Sequence, residues 1–236
     1  MAKLGKKAQQ EQEGKETVEF FKDLDREALN TERFLEKYSK PIGIVFGVLI
    51  LGVLGFFGYK QFVVAPKNTE AVKSFLAAQK NLTEGKDKEA LGGKSAANPG
   101  FLGTYKEYSG TNVGKLSAYN AGILKFKEGK FQEAYDLLDN FSSDNKTLMA
   151  MKFGAMADAK SGLNKNDEAL QLLDKAASAS DDPYTIYYFT RKAGILALGL
   201  KKNADAKKYF ATIDEKYQDY DNGMSDAYIE MAKYLN

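Results

Sequence analysis

Residues 42–59, IGIVFGVLILGVLGFFGY, run for 18 positions without a charge, and this constrains the chain more than any other feature. As a helix the run measures roughly 27 Å, close to the ~30 Å hydrocarbon core of a bilayer. Lys60 and Gln61 can snorkel to the interface, and residues 62–65 extend the apolar stretch. A core helix of a soluble protein would be shorter and interrupted by polar residues. A cleaved signal peptide would carry a shorter apolar region nearer the N-terminus. The run therefore predicts one uncleaved transmembrane anchor. It divides the chain into a charged segment at 1–40, an anchor at 41–65 and a domain at 66–236.

Gly43, Gly47, Gly52, Gly55 and Gly58 lie within the span. At 100° per residue all five fall on one half of the helix, and Gly43 and Gly47 have the spacing that lets two helices approach closely. This predicts a smooth face packed against another membrane helix. No ionisable group interrupts the span, which excludes an ion path or proton relay. Arg33, Lys37 and Lys40 precede it and Lys60 and Lys67 follow, a slight bias toward an inside N-terminus.

The flanking sequence sorts by pattern. Residues 1–15 are polar without period and predict disorder. Val18, Phe21, Leu24 and Ala28 then recur at three- and four-residue spacing, which predicts a short amphipathic helix before the anchor. Its mixed charge favours docking on a partner over adsorption to anionic lipid.

Chemistry is narrowed by what is missing. The chain has no His and no Cys, so thiol and imidazole nucleophiles, Cys/His zinc sites and disulfides are excluded. A net charge of +2 points to no nucleic acid. Asp219-x-Asp221-x-Gly223 with Glu230 has part of a calcium-loop pattern but carries Met224 where that loop needs glycine, so a capped turn is the better reading. Asp181-Asp182-Pro183 suits a helix N-terminus. No catalytic residue, metal ligand or cofactor is expected, and the chain reads as a non-enzyme.

After the anchor the pattern is helical throughout. Pro66 is expected to break the apolar run, with Thr69 capping a helix over 70–84 that turns Val72, Phe75, Leu76, Gln79 and Leu82 inward. Gly85 turns the chain into a short helix at 87–91, a Gly/Asn/Pro loop follows, and a helix is expected over 101–108. Three units then repeat, from Ser117, Met149 and Tyr187, each an apolar helix, a turn and a second helix. Aligned on a small residue they place Ala134, Ala169 and Ala206 at spacings of 35 and 37, with Ala90 a weaker match 44 residues earlier. Gly122, Ala157 and Gly194 fill the small position where paired helices cross.

The period is that of tetratricopeptide repeats, whose helix pairs bury their apolar faces only by stacking. The fold class expected is all-α: a single N-terminal transmembrane helix followed by a solenoid of helix pairs, ended by a capping helix that buries Ala227, Met231 and Leu235. The first helices of the pairs would line a peptide groove, with Tyr119, Phe126, Lys127, Met151, Asp158, Tyr188 and Arg191 as candidates. No regular basic ladder for a terminal carboxylate is present.

The anchor followed by GFLGTYKEYSG, AYNAGILKFKEGKFQEAYDLL and KAGILALGLKKNADAKKYF resembles the YfgM-type ancillary subunits of the bacterial Sec translocon. That resemblance implies a bacterial inner-membrane protein with its N-terminus in the cytoplasm and its repeats in the periplasm. It implies SecYEG, a PpiD-type membrane-anchored chaperone and membrane lipid as partners, and no catalytic residues. The alternative is a periplasmic scaffold for another envelope assembly, in cell division or outer-membrane biogenesis.

Overall fold

A computed structural model describes residues 38–41 and 43–235. The amphipathic segment expected before the anchor lies outside the described residues. The chain forms two compact units, Met1–Val64 and Ala65–Asn236.

In the first unit, α1 occupies 43–59 and a turn of π-helix follows at Lys60–Val64. The helical trace Tyr38–Thr83 is the one stretch among the described residues long and apolar enough to cross a membrane, and none of its most apolar window is buried. Ile44, Leu51, Phe56 and Phe57 stand exposed. So many exposed large apolar side chains on one helix cost too much in water unless lipid or protein covers them. A Cβ placed on Gly43, Gly47, Gly52, Gly55 or Gly58 would meet nothing within 4 Å.

The second unit is built from helices, with no strand among its described residues. They are α2 (Ala65–Thr83), α3 (Asp87–Gly92), α4 (Gly100–Tyr108), α5 (Asn112–Lys127), α6 (Phe131–Asp139), α7 (Lys146–Gly162), α8 (Asn166–Ala179), α9 (Pro183–Gly199), α10 (Asn203–Lys216), α11 (Gln218–Asp221) and α12 (Asp226–Lys233). From α2 to α11 each packs on its neighbours in chain order, and α12 packs back on α10, a solenoid-like stack.

One turn is made four times. Gly85, Gly129, Asn164 and Lys201 adopt φ of 72°, 75°, 58° and 58°. Each is followed by a lysine whose amide donates back across the turn: Lys86 to Asn81 O, Lys130 to Lys125 O, Lys165 to Lys160 O and Lys202 to Ala197 O, all at 2.9 Å. The left-handed residue reverses the chain and satisfies carbonyls left open at the helix end. Five residues on, Ala90, Ala134, Ala169 and Ala206 are each fully buried. The hairpin α2–α3 is thus a full member of the repeat. The longer interval after it holds α4, which packs on α2, α3 and α5.

The alanines are buried because the facing helix comes close. A Cβ on Gly122 would sit 2.7 Å from Leu138 Cγ and 3.1 Å from Ala134 O, and one on Gly194 would sit 2.9 Å from the Phe210 ring. Lys152 crosses from α7 to donate to Asp139 O at 2.9 Å and Phe141 O at 2.8 Å, closing the end of α6. Burial holds that ammonium below its ordinary value.

Several boundaries and faces differ from the sequence expectation. Pro66 does not break the run as expected: the chain passes without interruption from the π-helical turn at Lys60–Val64 into α2 at Ala65, and Thr69 lies inside the helix, donating to Ala65 O. Its buried face is Ala71, Ser74, Ala78 and Asn81, while Val72 and Leu76 are exposed. Small residues win that face because α4 approaches closely, Ser74 Oγ lying 2.5 Å from Thr104 Oγ1. The repeat helices start earlier than the apolar pattern, at caps supplied by Thr111, Asn145 and Asp182. Helix α12 buries Ala232 and packs Tyr228 and Ile229 on the core, with Ser225 buried at its N-cap and Leu235 packed just after it, leaving Ala227 and Met231 outside.

Candidate functional site

The first helices of the repeats, α2, α5, α7 and α9, carry apolar residues at one repeated register. Eighteen residues before each buried alanine stand Val72, Leu116, Met151 and Tyr188, every one apolar. Val72, Met151 and Tyr188 are 41%, 44% and 45% exposed. Leu116 lines a cavity of about 360 Å³ with Asn112, Lys115, Phe141, Asn145 and Leu148. One helical turn earlier stand Asn68, Asn112, Thr147 and Tyr184, all uncharged and all able to hydrogen-bond. The two rows are neighbours because residues four apart share a helix face.

The seven groove candidates separate on this geometry. Met151 and Tyr188 belong to the open row. Tyr119 turns toward the core and packs against Phe141, the rings tilted with centroids 5.2 Å apart, and burial pushes its phenol above the ordinary value. Phe126 packs on Phe131 at 5.4 Å across the repeat turn. Lys127 reaches Asp87 at 3.4 Å, and Asp158 pairs with Lys192 at 2.6 Å. Arg191 donates to Ser225 Oγ and Met224 O, both at 3.2 Å, and lies over the Tyr228 ring. These five side chains tie elements together and do not form a common free surface. Val72, Leu116, Leu148 and Tyr184 are additions, and counting back from the repeat alanine finds the first two.

The acidic motif near the C-terminus has its own role. Asp221 is buried and accepts from Tyr187 Oη at 2.6 Å, Ser225 Oγ at 2.5 Å and Ser225 N at 2.7 Å. Burial alone would raise its carboxyl; donors from Ser225 and Tyr187 and the nearby Arg191 charge outweigh that and hold it below the ordinary value. Asp182 caps α9, accepting from Thr185 N and Thr185 Oγ1 at 2.8 and 2.5 Å. Among the described residues no group of three or more Asp and Glu side chains is placed to hold a metal ion.

The chain matches no described protein family, no curated protein and no solved structure.

Proposed function

We propose that the chain is a membrane-anchored adaptor, an ancillary subunit of the Sec translocon of the YfgM type. Helix α1 spans the bacterial inner membrane with its N-terminus in the cytoplasm, and the tetratricopeptide-like solenoid stands in the periplasm. Its glycine half packs against a helix of the SecYEG assembly, and the solenoid holds a PpiD-type chaperone or an emerging chain close to the exit. Tethering of this kind raises effective concentration without tight contacts. The protein carries out no covalent chemistry of its own.

The observation that carries this reading is the combination of a fully exposed apolar helix, five of whose glycines face open space, with a stack of repeated hairpins whose first helices expose Val72, Met151 and Tyr188. Such a stack suits holding a polypeptide. The test is purification of the tagged full chain in mild detergent. Translocon subunits are expected to accompany it, and recovery of the intact chain with none of them would overturn the assignment.

A further inference from the structure

We propose that the cavity bordered by α5, α7 and the loop joining α6 to α7 binds a small zwitterion with an apolar body, a free α-amino acid such as phenylalanine or leucine. The site goes beyond the adaptor reading and does not rest on it. Three observations lead there.

The first is a pair of charges that the fold leaves uncombined. Lys115 and Asp144 both line the cavity of about 360 Å³. Among the described residues neither takes part in an ion pair. The charges around them do: Lys146 pairs with Asp181 at 2.6 Å, and Lys152 reaches Asp139 at 3.8 Å. An ammonium and a carboxylate that border one cavity without closing on each other match a ligand that carries both charges itself. A ligand with one charge alone would meet one attractive and one repulsive group.

The second is the apolar part of the wall. Leu116, Phe141 and Leu148 line the same cavity, and Leu148 is exposed. A benzyl or isobutyl side chain laid on them leaves water and covers that surface. Pockets for small ligands combine such a wall with a few placed polar groups and measure roughly 300–1,000 Å³. This cavity falls at the small end of that range, which suits a single amino acid.

The third is that the wall is already fixed. Phe141 is buried, its ring packs on Tyr119, and its carbonyl accepts from Lys152 Nζ at 2.8 Å. Asn145 Oδ1 accepts from Leu148 N at 3.0 Å, and Asn145 N donates to Ser143 Oγ at 3.1 Å. The loop is therefore held in place before any ligand arrives, and binding need not order it. Helix α5 starts at Asn112, also in the wall, so its positive end adds to Lys115 in favouring the ligand's carboxylate there. The ligand's ammonium then faces Asp144.

The test uses the full chain in lipid nanodiscs, with empty nanodiscs subtracted, and saturation-transfer NMR titrations of four probes built on one phenyl body. L-phenylalanine should bind saturably, with a Kd of about 1 mM or tighter. Phenethylamine lacks the carboxylate and 3-phenylpropionate lacks the ammonium; each should bind at least about tenfold more weakly. So should N-acetyl-phenylalaninamide, which carries neither charge and stands for a residue inside a polypeptide. Lys115→Met should leave phenylalanine no better a ligand than phenethylamine, and Asp144→Asn should leave it no better than 3-phenylpropionate. A purely structural role at either position would not sort the probes by charge. The probe series is read on the parent chain, so it stands even if a variant's thermal melt shifts. Absence of saturable phenylalanine binding, any comparator binding as tightly as phenylalanine, or indifference to either substitution would overturn the inference. Translocon co-purification reads the adaptor assignment separately.

Discussion

Tyr187 donates its phenolic hydrogen to the buried carboxylate of Asp221 at 2.6 Å, joining α9 to the turn that launches the last helix. The same carboxylate takes two further donors from Ser225, so three hydrogen bonds converge on one charge. Donors aimed at an ionised acceptor are about twice as strong as neutral pairs. This knot adds to the apolar packing of Tyr228, Ile229 and Leu235 in securing the C-terminal end.

Because Asp221 is held below its ordinary value when folded, its contribution is present above the unfolded carboxyl value of about 3.9 and is lost as pH falls through the folded value. Asp221→Asn should therefore lower stability by about 2 kcal/mol at pH 7, the scale of one charge-assisted hydrogen bond and an ill-matched donor. The gap to the parent should narrow as pH falls from neutral to below the unfolded carboxyl value. Thermal melts at the two ends of that range measure it; a gap that stays constant would place the stabilisation elsewhere.

The repeat turn gives a second test. Lys201 and Asn164 occupy a left-handed conformation that Gly85 and Gly129 adopt without cost. A left-handed L-residue pays about 1–2 kcal/mol, less for Asn, while glycine adds unfolded-chain entropy of about 0.4–1 kcal/mol. Lys201→Gly should stabilise by about 0.5 kcal/mol, Asn164→Gly should change little, and Gly129→Ala should destabilise by about 1 kcal/mol. Urea titrations of the three variants give the order.

Much of this architecture could be read from residues alone, and the exceptions share a cause. The alanines at 90, 134, 169 and 206 and the glycines at 122 and 194 mark helix crossings, because close approach admits only small side chains. Helix α2 was harder: Phe75 and Leu82 pack on the core as their spacing predicts, yet Val72 and Leu76 of the same stripe are exposed, and Ala71, Ser74 and Ala78 are buried beside them. Hydrophobicity does not report which face another helix approaches closely, and α4 fits only against the small one. At α12 the same bias put Met231 inside where Ala232 belongs. Of the open surface, Met151 and Tyr188 were visible as first-helix residues. Arg191 and Tyr119 were not separable from them, since their partners at Ser225 and Phe141 come from other elements.

Glycines in the stack should divide by what surrounds them. Gly122→Ala forces a methyl toward Leu138 and Ala134 and should cost about 1–3 kcal/mol through overpacking. Gly199 ends α9 with open space around it, so Gly199→Ala should be neutral or stabilise by up to about 1 kcal/mol. Opposite signs in a paired denaturation experiment are the expected outcome; equal losses would mean that the crossing at Gly122 has room.

The anchor offers the sharpest geometric test, because the chain has no native cysteine to confuse it. On a helix with 100° per residue, Gly52, Gly55 and Gly58 fall on one half and Phe46, Leu49 and Val53 on the other. If a neighbouring membrane helix packs on the glycine half, cysteines placed one at a time and loaded with a short photoreactive thiol reagent should yield a protein adduct from the first set. Phe46, Leu49 and Val53 variants should yield lipid adducts or none. The contrast is physical: a missing side chain lets backbones approach to van der Waals contact, where association without a hydrophobic driving force gains its energy. Adducts spread evenly around the helix would mean the glycines serve no interface, and adducts from the Phe46 side alone would put the partner on the bulky face.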